Sequence, residues 1–401
     1  MYGLVLEGGG AKGSYQIGVY KALLESGIQI KGVVGTSIGA LNGAMIVQGD
    51  YEKCYDLWNE IAYSMVADVD DAEIDKIMKL KLVKEDLTFL KEKLKSFISG
   101  KGLDITPLKK LLDEYIDEKR IRNSGMDFGM VTINMSDRKP LHLFLEDIPQ
   151  GKLQDYLLRS AYLPVFKKEK LEGKTYLDGG FYDNLPYKML IDKGYEDLIL
   201  VRTHGFGFTR RIDLKGRNSI IISPSDSIGK SYEYDSSRSK SNIQIGYYDG
   251  LRAVHGLKGE RYYIEPHKDQ DYFLNLLLSL PEENVNKIQE ILKLPEMQYR
   301  RSLFESIIPK ICSILSMENK CGYEELLIYL LERKAEKLNI PRFEIYTFEK
   351  LLSKVRNRRI EIEQEELGRI DKLIEKLDIL PIFNKDDIIL EISDIVFSKI
   401  D

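Results

Sequence analysis

Three short stretches hold residue types that could do chemistry. The first is Gly35-Thr36-Ser37-Ile38-Gly39, a serine between two glycines, after an apolar run and before a helix-like one. A serine becomes a nucleophile when a tight strand-to-helix turn lifts its hydroxyl clear, and Gly35 and Gly39 would let neighbouring backbone approach closely. The helix N-terminus behind it would add N–H groups and a positive dipole end, suited to a developing oxyanion. The same five residues also read as an ordinary strand–helix connection.

The second stretch, Gly8-Gly9-Gly10-Ala11-Lys12-Gly13, again joins a strand-like run (Tyr2 to Leu6) to a helical one. Successive N–H groups in such a loop make an anion cradle. Gly8, Gly10 and Gly13 have the spacing of a dinucleotide loop, but no carboxylate stands near Ile28 to Ile30, where the ribose acid belongs. A phosphate-binding P-loop needs Lys-Ser/Thr after the last glycine, and Ser14-Tyr15 stands there. The third reading is an oxyanion hole serving Ser37 on the next strand–turn–helix unit, since both loops would lie at the carboxyl ends of neighbouring strands.

The third stretch is Asp178-Gly179-Gly180, which leaves a carboxylate at a strand end, although Asp-Gly-Gly is also a common turn. A serine nucleophile needs a base, usually a histidine. The histidines are His142, His204, His255 and His267. His204 follows the apolar run Asp197 to Arg202 and is the triad candidate. The other three read as surface or structural.

These residues need strands and helices to hold them. Strand-like runs occur at Tyr2–Leu6, Ile30–Val34, Asp127–Asn134, Leu141–Leu145, Asp197–Arg202, Ser219–Ser223 and Arg261–Ile264, interleaved with helical periods, which is α/β patterning. From about Asp68 to Lys101 a helical apolar stripe (Ile74, Ile77, Met78, Leu87, Leu90, Leu94, Phe97, Ile98) reads as an inserted helical segment against the core, with a membrane-lying lid as the alternative. After Asp269 helical periods run to the end. The expected organisation is residues 1–268 with a helical insertion at about 68–118, then an all-helical domain over 269–401.

Composition narrows the partners. The 401 residues are 43% hydrophobic, enough for a sizeable core, and 59 Lys and Arg against 64 Asp and Glu give no basic excess for nucleic acid. Cys54, Cys312 and Cys321 are sparse, odd in number and without metal-ligand spacing, as in a reducing compartment. No signal-peptide pattern opens the sequence and no run of ~18 apolar residues occurs, so the expected location is cytoplasmic, with signal-independent secretion left open.

Together, Gly8 to Gly13, Gly35 to Gly39, Ser160 to Phe166, and Asp178-Gly179-Gly180 with Asn184 and Pro186 closely resemble the patatin-like phospholipases, in the same order. The resemblance covers roughly residues 1–266. It implies a three-layer α/β/α fold with a mostly parallel central sheet. It also implies a lipid substrate, transient contact with a membrane surface, no cofactor and no metal. By this analogy Ser37 attacks an acyl ester and Asp178 is the base, with no histidine. The Gly8–Gly13 loop holds the oxyanion, chiefly through Gly9, Gly10 and Ala11. Lys12 departs from the family's usual Arg. Gly35, Gly39, Gly179 and Gly180 shape the turns. The C-terminal helices fit oligomerisation or recognition of a protein partner. A nucleotide- or phosphate-binding module, or a regulatory scaffold with a vestigial site, is the alternative function.

Overall fold

The apolar runs that flank the two glycine loops become neighbouring parallel strands. In the computed structural model, which describes residues 1–72, 102–167, 169–269, 271–317, 322–358 and 385–397, β1 (Tyr2–Leu6) lies between β2 (Ile30–Thr36) and β6 (Asp197–Val201). The sheet runs β4-β3-β2-β1-β6-β7, with β3 at Asp127–Asn134, β4 at Lys139–Phe144 and β7 at Asn218–Ile222. Only β4 and the short β5 (Tyr176–Asp178) run antiparallel, and both pair with β3. The central strands read as unbroken apolar runs because both their faces are buried: Leu4, Val5, Leu6, Val33, Val34 and Leu198 to Val201 are fully inaccessible.

Helices cover the two faces. On one, α1 (Gly13–Glu25) and α2 (Ile38–Gln48) lie over the sheet, and Gly43 of α2 brings the backbone down onto Val33 and Phe128. Beyond α2, α3 (Tyr51–Glu60) buries Cys54 and Trp58, and α4 (Thr106–Tyr115) opens with Pro107 in its first turn. On the other face α6 (Tyr187–Asp192) packs Tyr187, Met189 and Leu190 onto Val5, Val34 and Val131. Between these in sequence, α5 (Leu153–Ser160) leads toward β5. The long α7 (Ser236–His255) meets α1 through glycines: a Cβ on Gly18 would lie 1.9 Å from the Ile243 carbonyl oxygen, and one on Gly246 2.1 Å from that of Tyr15.

The chain divides into two units, Met1–Val254 and His255–Asp401. The second is helical, with α8 (Tyr272–Leu278), α9 (Glu282–Ile291), α10 (Tyr323–Lys337) and α11 (Lys385–Phe397) around Val285, Leu327, Leu331 and Ile392. One parallel pair interrupts it. Arg261–Ile264 reads in the sequence as a closing strand of the large sheet, but Tyr263–Ile264 pairs instead with Ile345–Tyr346 inside this second unit. The buried Glu332 carboxylate fixes that segment, accepting the N–H groups of Glu260, Arg261 and Tyr262 at 3.0, 2.9 and 2.6 Å. The apolar stripe from Ile74 to Ile98 and the helical period at 360–377 lie outside the described residues. Among the described residues no helix is long and apolar enough to cross a membrane.

The contact between α1 and α7 gives a direct test. Gly18→Ala places a methyl group on backbone that cannot swing aside, so stability falls by about 1–3 kcal/mol or more, read as a lower urea midpoint at unchanged slope.

Candidate active site

Ser37 follows the last residue of β2 at φ 56 and ψ −125, a backbone conformation rarely taken by a residue with a side chain. Close packing of the flanking glycines holds it there. A Cβ on Gly35 would lie 2.3 Å from the Gly39 carbonyl group, and one on Gly39 2.3 Å from the Leu6 oxygen. The Ser37 N–H is fixed as well, donating to Ser160 Oγ at 3.0 Å, while Ser160 donates to the Val131 carbonyl at 2.7 Å. Ser160 thus ties the end of α5 both to the turn and to β3.

Asp178 reaches the same place from the opposite direction. On β3, Val131 stands opposite Thr36, and the next residue, Thr132, stands opposite Asp178. The far edge of β3 is taken by β4 from Gly129 to Asn134, so β5 continues the line that β2 leaves. The two strands end nose to nose on consecutive residues of one strand. This closes a gap of 141 residues (178 − 37). Gly179 lets the chain turn there, since its Cβ would strike the Val131 oxygen at 2.2 Å.

The Asp178 side chain is 3% exposed. Its Oδ1 accepts the Gly180 N–H at 2.7 Å, whereas Oδ2 is buried without a hydrogen-bond partner. Burial pushes the carboxyl up to about 6, opposed by the nearby Ser37 hydroxyl and the Gly180 N–H. Tyr234, which sequence reading did not single out, also lines this cavity; burial raises its phenol's pKa, and the nearby Asp178 carboxylate adds to the rise.

The glycine loop offers fewer donors than its sequence suggests. The Gly8 N–H goes to the Asn184 carbonyl, Ala11 N–H to Ser231, Lys12 N–H to Gly9 and Gly13 N–H to Gly10. The N–H groups of Gly9 and Gly10 are left, and both residues line the cavity. Ala11, expected among the donors, turns its N–H away at 2.8 Å from the Ser231 oxygen because Gly10, at φ 56, swings the backbone toward that carbonyl. Two donors suit one oxygen atom better than a pyrophosphate. Lys12 points the other way: its amine donates to the Thr203 and His204 carbonyls at 3.3 and 2.9 Å, bracing the loop after β6. Burial lowers its pKa, against the pull of Glu7.

Above Ser37 the cavity runs into apolar walls from α2, α3 and α4, including Ile38, Leu41, Met45, Trp58, Leu108 and Leu112. Its volume is about 140 Å³, enough for a benzene-sized guest. Asn42, the polar group in this wall, is satisfied: its amide donates to the Gly13 carbonyl and Gln16, and its oxygen accepts the Trp58 N–H at 3.0 Å. No histidine is among the described lining residues. The His204 backbone N–H goes to Glu7, and its ring lies at the surface near Arg202. His142 pairs with Asp183 at 3.2 Å, His267 stacks on Tyr272, and His255 ends α7. Among the described residues no three His, Cys, Asp or Glu side chains gather as a metal set.

A mostly parallel α/β sheet with a strained serine at the end of one strand and an orphaned buried carboxylate at the end of another defines the class: an α/β protein whose strained strand–helix turn opens on an apolar cavity. Residues 4–191 match the family model for Patatin-like phospholipase, and this part of the chain is a patatin-like phospholipase domain. Rat Patatin-like phospholipase domain-containing protein 7 is 25% identical over 205 residues, 49% of this chain and 13% of that protein. Lysophospholipase nte1 of Aspergillus terreus is 32% identical over 189 residues (46% and 10%), and Neuropathy target esterase sws of Drosophila melanogaster 30% over 204 (50% and 12%). The chain therefore spans 10–13% of the length of these curated relatives. Among solved structures, VipD from Legionella pneumophila has a TM-score of 0.41 at 15% identity, over 99% of this chain and 92% of that one.

The buried carboxyl predicts a pH-dependent stability. With its folded pKa at about 6, above the ordinary 3.8, Asp178 binds its proton more tightly in the native state than in the unfolded chain. Stability therefore falls as pH rises from about 4 to about 6, and the penalty is complete above that window. Asp178→Asn removes the buried charge. At about pH 8 it should be more stable than wild type by on the order of 2–3 kcal/mol, read as a higher melting temperature, and the gap should close near pH 4.

Proposed function

We propose that the chain is a lipid acyl hydrolase that cleaves carboxylic esters of phospholipids or related acyl lipids through Ser37 and Asp178. The observation that carries this reading is the buried, unpartnered Oδ2 of Asp178 beside the Ser37 hydroxyl. A carboxyl raised to about 6 is ionised at neutral pH, yet basic enough to take a proton in the transition state. Ser37 Oγ bonds to the ester carbonyl carbon while its proton passes to Asp178. The carbonyl π electrons move onto oxygen, and the N–H groups of Gly9 and Gly10 hold that oxyanion. Collapse breaks the ester C–O bond, and the leaving alcohol takes the proton from Asp178. Asp178 then removes a proton from water, whose oxygen attacks the acyl-serine. The fatty acid departs and the proton returns to Ser37.

The apolar wall above Ser37 supports an acyl chain as the group held during this sequence. Each buried methylene would contribute roughly 0.8 kcal/mol. Membership of residues 4–191 in the patatin-like family, and relatives named for phospholipase and lysophospholipase activity, support the same substrate class.

Three measurements test the reading. A fluorophosphonate probe should label wild type and not Ser37→Ala. Both Ser37→Ala and Asp178→Asn should lower kcat/KM on a p-nitrophenyl ester at least about a thousandfold. The wild-type pH profile should climb with unit slope and level off above about 6. Full activity in Asp178→Asn would remove the carboxylate from the mechanism, and an unlabelled Ser37 would leave a scaffold with a vestigial site.

A further inference from the structure

Four aromatic side chains stand exposed among the described residues of the first unit: Phe181, Phe206, Phe208 and Tyr232. Single exposed apolar residues are unremarkable. These four are not scattered. Phe181 and Phe206 themselves line the Ser37 cavity, Phe208 is two residues beyond Phe206, and Tyr232 lies between the lining residues Ser231 and Tyr234. Phe206 is 77% exposed and Phe208 57%, so their rings contribute little to the core.

The chain is built to keep them out. In Gly205-Phe206-Gly207-Phe208 the glycines face inward: a Cβ on Gly205 would lie 2.3 Å from the Gly8 oxygen, and one on Gly207 2.7 Å from the Gly180 oxygen. The segment is pinned on both sides. The buried Glu7 carboxylate accepts the N–H groups of Thr203 and His204 at 2.7 and 2.9 Å and the Thr209 hydroxyl at 3.0 Å. Phe208 donates its N–H to Gly180 at 2.7 Å and accepts that of Asn184 at 2.9 Å. Phe206 rests edge-on against Phe181, with centroids 5.6 Å apart.

Cations accompany the rings. The Arg210 guanidinium lies 4.9 Å from the Tyr182 ring centroid and 5.9 Å from that of Phe208, and the Lys230 amine lies 5.9 Å from that of Tyr232. Residues 203–211 contain Arg210 and Arg211 and no acid, although the whole chain carries a net charge of −5. The nearest acids beyond Lys230, Glu233 and Asp235, accept N–H groups of their own segment, from Lys230 and Arg238. Rings that bury while cations remain at the polar boundary match the headgroup layer of a membrane.

Resting on the hydrolase reading, we infer that this rim is the face by which the protein docks on an anionic phospholipid bilayer, with Phe206 and Phe208 entering the acyl boundary. A lipid could then slide from the bilayer into the apolar cavity without exposing its chain to water. The test is co-sedimentation of the full chain with sucrose-loaded vesicles, of phosphatidylcholine alone or with phosphatidylserine, alongside turnover of water-soluble p-nitrophenyl butyrate. Wild type should sediment with the anionic vesicles, less so at high salt. The double variant F208D/R210E should lose at least about tenfold in vesicle affinity while keeping soluble-ester turnover within about twofold. A second pair from the segment that carries Tyr232, Y232S/K230E, should do the same, so misfolding of one pair leaves the proposal testable. Wild type that cleaves the soluble ester but stays in the supernatant overturns the docking face and leaves the hydrolase. Sedimentation without ester turnover or Ser37 labelling overturns the hydrolase and retains the face. Equal sedimentation by wild type and both variants, or self-association that only the variants lose, overturns the membrane as occupant.

Discussion

Backbone pairing along β3 is the constraint on which the rest of the site depends. One edge of that strand carries two partners in series, Val131 opposite Thr36 and Thr132 opposite Asp178. Successive rungs of a hydrogen-bonded ladder are among the most rigid spacings a protein offers. The serine and the carboxylate are therefore set by strand register, and the long connection between them need not hold either one. Ser160 reinforces the joint, since a single hydroxyl satisfies both the Ser37 N–H and the Val131 carbonyl.

Two unfavourable features sit at that joint. Ser37 takes a backbone conformation that costs of order 1–3 kcal/mol, and Asp178 holds a carboxylate away from water. Close packing sustains both: Gly35, Gly39 and Gly179 leave the backbone no room to relax, and the fully buried strands beneath supply the stability. A relaxed turn would hide the hydroxyl, and a hydrated carboxylate would keep the lower, ordinary pKa of an aspartate.

Much of this could be read in the sequence because the signals are local. Glycine on either side of Ser37, and again after Asp178, marks close backbone approach, and apolar runs of strand length mark the buried sheet. The family resemblance joined these signals into one site. What escaped depends on long-range contacts. No pattern says that the Ala11 N–H turns to Ser231, residues apart by more than half the chain. Arg261–Ile264 has a strand's composition, and only packing decided that its partner is Ile345–Tyr346. Lys12 stood where an Arg was expected, but its two carbonyl partners belong to another loop. Tyr234 sits in a polar stretch without periodicity. Glu7 and the Gly-Phe-Gly-Phe segment did carry visible signals: a carboxylate ending a buried strand needs partners, and paired rings in a polar loop need a reason.

Glu7 links these observations mechanically. It is the residue between β1 and the glycine loop, and its carboxylate grips the segment that presents Phe206 and Phe208. That segment also rests on the Gly8 carbonyl through the Thr203 hydroxyl, at 2.7 Å, and on the Gly180 carbonyl through the Phe208 N–H. It behaves as a short strut rather than a flap. A push on the outer rings travels through a few stiff bonds to the two loops that flank the serine, so the surface and the interior of this unit share one load path.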